Sequence, residues 1–74
     1  MKLAPVPPNK VIKALEKLGF RKVRQKGSHV VMQRPGNLRP IIVPVHKNRD
    51  IEKPLLRMII TEVGVRKDEF LKLL

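Results

Sequence analysis

The run Arg24-Gln25-Lys26-Gly27-Ser28-His29 reads as two strand ends meeting at a tight turn. Gly27 supplies the positive φ that a short hairpin loop needs. With Lys26-Gly27 as the loop residues, antiparallel pairing sets Gln25 opposite Ser28, Arg24 opposite His29 and Val23 opposite Val30. Strand side chains alternate, so the apolar pair Val23 and Val30 looks inward and Arg24 and His29 share the open face. Glycine at the second loop position also suits a bulged, longer turn, which shifts this register by one residue.

Upstream of the hairpin, Val11, Ile12, Leu15 and Leu18 form one stripe at helical spacing, starting from Pro8 or Asn9. Lys10, Lys13 and Lys17 take the outer face, and Gly19 suits the C-terminal cap. Pro5, Pro7 and Pro8 make residues 1–8 an extended leader, since proline is tolerated only in a helix's first turn. Phe20 to Gln25 is the first strand, and Ser28 to Arg34 the second. After the turn signal Pro35-Gly36-Asn37 comes a third, Leu38 to Val45, whose Pro40 and Pro44 mark an edge.

His46-Lys47-Asn48-Arg49 is a polar loop, and Asp50 caps a short turn after it. Leu55, Leu56, Ile59, Ile60 and Val63 make a second helical stripe, with Pro54 in its first turn and Gly64 at its end. Phe70, Leu71 and Leu74, behind Asp68 and Glu69, predict a short closing helix. The expected fold is therefore α+β: helix, three antiparallel strands, helix, and a short C-terminal helix, in one domain over residues 1–74. Three strands can bury one face under two helices and leave the other in water. This is the plan of double-stranded RNA-binding domains, which read helical shape and phosphates.

Charge narrows the partners. Seventeen Lys and Arg against six Asp and Glu give a net charge of +11. Residues 1–49 hold twelve of those cations and one acid, Glu16, whereas residues 50–74 are neutral. A polyanion should meet the first two thirds of the chain, and nucleic acid is the default. With no Trp or Tyr and two Phe, the chain is a poor fit to single-strand binders that stack bases on aromatic platforms. No cysteine is present for a disulfide, a thiolate zinc site or a thiol nucleophile. The Pro-rich start lacks the apolar run of a signal peptide, and no segment approaches a membrane span, so a cytoplasmic, membrane-free protein is expected.

His29 is the one side chain in the basic two thirds placed by a strand and suited to proton transfer near neutral pH. Cleavage of RNA needs the 2′-hydroxyl deprotonated, the leaving oxygen protonated and the charged transition state stabilised. An imidazole can move the protons, while Lys22, Arg24 and Lys26 can supply the electrostatic part. On spacing alone, an exposed strand histidine or a phosphate contact without catalysis is the simpler reading. His46, with Lys47 beside it, is a candidate phosphate contact, with less to hold it than His29. Ser28 neighbours His29 but points to the opposite face of a strand, so it is a turn residue and not a nucleophile. Two histidines seventeen residues apart without cysteine are no metal signature, and no cofactor is expected.

Several stretches together resemble one family. Leu18-Gly19-Phe20, Arg24-Gln25-Lys26-Gly27-Ser28-His29, Val43-Pro44-Val45-His46, Gly64-Val65 and Glu69-Phe70-Leu71 are similar to the HicA (YcfA-like) toxins of prokaryotic toxin–antitoxin systems. The similarity runs from about Asn9 to Leu74, and Gln-Lys-Gly-Ser-His is its most specific block. It implies a double-stranded-RNA-binding-domain-like fold and a ribonuclease that cuts messenger RNA and blocks translation. It also implies a single catalytic histidine, here His29; the charge and placement read above make Lys22, Arg24, Lys26, Ser28, His46 and Lys47 the expected RNA contacts. A HicB-type antitoxin that covers the active face is the implied partner. Two positions depart from the pattern: Lys47 stands where many relatives have Gly, and Arg66 where a helix-capping Ser or Thr is common. Neither touches His29. The alternative is a non-catalytic basic module for structured RNA, using the same face.

Overall fold

The computed structural model describes residues 2–74; Met1, the head of the expected leader, lies outside them. The order is α1 (Pro8–Lys17), β1 (Arg21–Lys26), β2 (His29–Gln33), β3 (Ile41–Pro44), α2 (Lys53–Val63) and α3 (Lys67–Leu71). The three strands form one antiparallel sheet in the order β1-β2-β3. The α+β layout expected from the apolar patterning is the one observed.

Each helix forms where its ends are supplied. Pro8 opens α1 and Pro54 lies in the first turn of α2, where a missing N–H costs nothing. Gly64, at φ 86°, ends α2 in the left-handed conformation. Glu52 is the N-cap of α2, with no side-chain cap bond. Arg66 likewise starts α3 without a side-chain cap. The leader is tied down: Val6 is buried and exchanges backbone hydrogen bonds with Ile51 at 3.1 and 2.6 Å.

The core joins Val11, Ala14 and Leu15 of α1, Val30 and Met32 of β2, Ile41 and Val43 of β3, and Leu56, Ile59 and Ile60 of α2. Phe20 and Phe70 are its two aromatic members. Each fully buried aliphatic side chain contributes about 1.5–3 kcal/mol. Among the described residues, no polar or charged side chain is buried.

The hairpin register differs from the expected one. Lys26 pairs with His29, Gln25 with Val30 and Arg24 with Val31, so the two loop residues are Gly27 and Ser28. Gly27 has φ 58° at the first loop position, which is the glycine position of a type II′ turn. The register then breaks between Lys22 and Arg24, leaving Val23 as the extra residue of a bulge. Val23 does not join Val30 inside; it is 51 % exposed. The cause is position: β1 is an edge strand exposed along its whole length, and the bulge releases Val23 from pairing. The third strand is shorter than Leu38 to Val45, because Leu38–Pro40 stay outside the ladder.

Arg34, just past β2, holds the far end together. Its guanidinium donates to the Leu18 carbonyl at 2.9 Å and the Val63 carbonyl at 3.3 Å, at the ends of α1 and α2. It donates twice more to Asn37 Oδ1, at 3.0 and 2.8 Å, and lies 4.5 Å over the Phe20 ring. One cation thus satisfies two helix-end carbonyls and fixes the β2–β3 turn. It is a structural charge, not one offered to a polyanion.

Candidate nucleic-acid interface around His29

Antiparallel partners share a face, so the register assembles rows across the sheet. Val30 and Met32 point into the core, as do their β3 partners Val43 and Ile41. The alternate residues face the other way. One outward row is Lys26–His29–Pro44, and the next is Arg24–Val31–Ile42. Arg24 and His29 do share the open face, but the direct cross-strand neighbour of His29 is Lys26.

His29 is held on both sides. Toward β1 it closes the two-residue hairpin. Toward β3 its neighbour is Pro44, and the next hydrogen bond runs from Val45 N–H to the Ser28 carbonyl at 2.6 Å. Ladder bonds alternate, so Pro44 occupies a position whose N–H would point away from β2, and proline costs no sheet bond there. Ser28 is half-buried and serves the turn through that carbonyl. The His29 side chain is exposed and makes no hydrogen bond or ion pair among the described residues. Its ring is open to a ligand.

Beside it lies a hollow of about 340 Å³ lined by Pro40, Ile42, Pro44, Leu55, Met58, Ile59 and Glu62. Sequence reasoning missed these neighbours. Ile42 and Met58 are half-exposed, and the signal was available in Met58, which falls off the buried stripe of α2. Val31, buried between its cross-strand partners Arg24 and Ile42, gives the face an apolar floor.

The expected contacts divide. Lys26 and Arg24 fall on the His29 face. Lys22 pairs with Met32, whose side chain is in the core, so Lys22 leaves the sheet on the opposite face. There it donates to Gln25 Oε1 at 3.1 Å, which in turn donates from Nε2 to the Gly27 carbonyl at 3.2 Å. His46 and Lys47 follow β3, and Arg49 N–H donates to the His46 carbonyl at 3.2 Å to close the turn. Asn48 takes φ 60° in it. Lys47 is exposed at this turn.

Among the described residues, no three His, Cys, Asp or Glu side chains converge as a metal site. No helix among them is long and apolar enough to cross a membrane. The comparison with curated proteins gives no match. The model of one protein family, described as the HicA toxin of bacterial toxin–antitoxin systems, matches residues 8–65. That span runs from the first residue of α1 past the end of α2 and is well over half the chain, so the chain belongs to the HicA toxin family.

Proposed function

We propose that this toxin is a metal-independent endoribonuclease that cuts messenger RNA and so blocks translation, with His29 as the proton-transfer residue. A HicB-type antitoxin inhibits it by covering the His29 face. The observation that carries the reading is the unpartnered His29 imidazole, fixed by strands on both sides, with Lys26 and Arg24 on the same face. Cations beside a proton-transfer group are what a phosphoryl transition state needs, because negative charge builds on the phosphate oxygens as the bond breaks. Most affinity for RNA comes from Lys and Arg contacts to phosphates and is independent of the imidazole.

The experiment is His29→Ala, with folding, RNA binding and cleavage of one RNA measured together. An exposed strand residue outside the core should leave stability within about 0.5 kcal/mol. Binding should persist, and cleavage should fall by roughly 10²–10⁴. Cleavage at the wild-type rate would take the catalytic role from His29. A wild-type protein that binds RNA and never cuts it would leave the non-catalytic module as the function.

A further inference from the structure

His46 is more tightly placed than its loop position in the sequence suggests. The Val45–Ser28 hydrogen bond carries the β2–β3 ladder one residue past β3. Ile41, Val43 and Val45 pack against the core, so the alternate residues Ile42, Pro44 and His46 are outward-facing. His46 therefore follows Pro44 on the face that carries His29. The turn bond from Arg49 N–H to the His46 carbonyl holds its backbone from the other side.

Strand geometry sets the separation. A pair without ladder bonds, such as His29 and Pro44, places its Cα atoms about 4.5 Å apart, and two residues along a strand add about 6.6 Å. The Cα atoms of His29 and His46 are then roughly 8 Å apart, close enough for two imidazoles to flank one phosphodiester. The hollows agree. Pro44 and Leu55 line both the hollow of His29 and a neighbouring one that contains His46, Arg49 and Asp50.

The geometry points to His46 as a second proton-transfer residue, paired with His29 across Pro44. This inference rests on the ribonuclease reading and goes beyond its single histidine. One neutral imidazole takes the 2′-hydroxyl proton as the O2′–P bond forms. The other, protonated, gives its proton to O5′ as the P–O5′ bond breaks. The products are a 2′,3′-cyclic phosphate and a 5′-hydroxyl; one proton is taken up and one released, with no oxidant or cofactor. Charged groups lie near both histidines: Lys26 and Arg24 of β1 share the His29 face and Glu62 of α2 lines its hollow, while Arg49, Asp50 and Glu52 line the hollow of His46, with Lys47 next in the turn.

The test is the pH dependence of kcat/KM for one RNA, using the full chain, His46→Gln and His29→Gln. Wild type should show two limbs, one for each imidazole. His46→Gln should lose one limb and about 10²–10⁴ in kcat, with its melt and RNA affinity unchanged. Imidazole added to His46→Ala should restore part of the rate. Two limbs retained in His46→Gln, a loss confined to KM, or a variant that no longer folds would each overturn the proposal, the last two making His46 a phosphate contact or a structural residue. Wild-type protein without cleavage would refute the ribonuclease reading itself, a different result from active wild type with an indifferent His46.

Discussion

Replacing Arg34 should separate charge that holds the fold from charge that meets RNA. Arg34→Ala removes the donor shared by the Leu18 and Val63 carbonyls and by Asn37 Oδ1. A hydrogen bond from a charged group is worth about 1.5–3 kcal/mol when well formed, and less where water can replace it. Taking about 1 kcal/mol for each of the three acceptors in this half-buried setting, plus about 0.5–1 kcal/mol for the cation over Phe20, gives a loss of about 3.5–4 kcal/mol. For a domain of this size each kcal/mol shifts Tm by about 4–8 °C, so the melt should fall by well over 10 °C. Arg34→Lys keeps the charge, but one ammonium cannot reach both helix ends, and most of the loss should remain. The assay is a thermal or urea melt of both variants, with Arg39→Ala as an exposed control. If Arg34→Lys is as stable as wild type, the bridging geometry contributes nothing and only local charge matters.

RNA affinity should fall steeply with salt, and Arg24→Ala or Lys26→Ala should each flatten the slope of log K against log salt by roughly 0.7–0.9. Lys22→Ala, on the opposite face, should change the slope less, and equal effects at all three would put RNA on both sides of β1. A chelator should leave cleavage unchanged; loss of activity that magnesium or zinc restores would overturn the metal-independent reading. If the antitoxin competes with RNA for the basic face, as proposed, its contact patch should be acidic. Bound antitoxin should therefore shield His29 from diethyl pyrocarbonate, and equal modification with and without it would rule out direct occlusion.

The parts legible in the sequence are those fixed by local rules. The helical stripes, the proline starts and Gly64 all rest on residues within a turn of one another, and the structure has them in place. The open-face position of His29 survived a wrong register because its partner moved by two residues, from Arg24 to Lys26, and two residues is one full strand period, so Arg24 stays on the same face. Val23 was misread because alternation assumes an unbroken ladder, and a bulge is set by pairing across strands. Arg34 looked like one more cation. Its role depends on Leu18 and Val63, 16 and 29 residues away, which no local pattern brings together. His46 looked unsupported because the bond that extends the ladder to Val45 comes from the turn at Ser28.

The bulged, fully exposed β1 also bears on how the protein behaves in a crowd. A sheet edge is a template for a second copy, since its outer N–H and C=O groups have no ladder partner. Here four of the six edge residues are Arg21, Lys22, Arg24 and Lys26. Two copies pairing edge to edge would bring these cations together, and Val23 interrupts the straight run that such pairing needs. The same basic stretch therefore keeps the chain from stacking on itself, and that protection weakens when salt or a bound anion neutralises the edge.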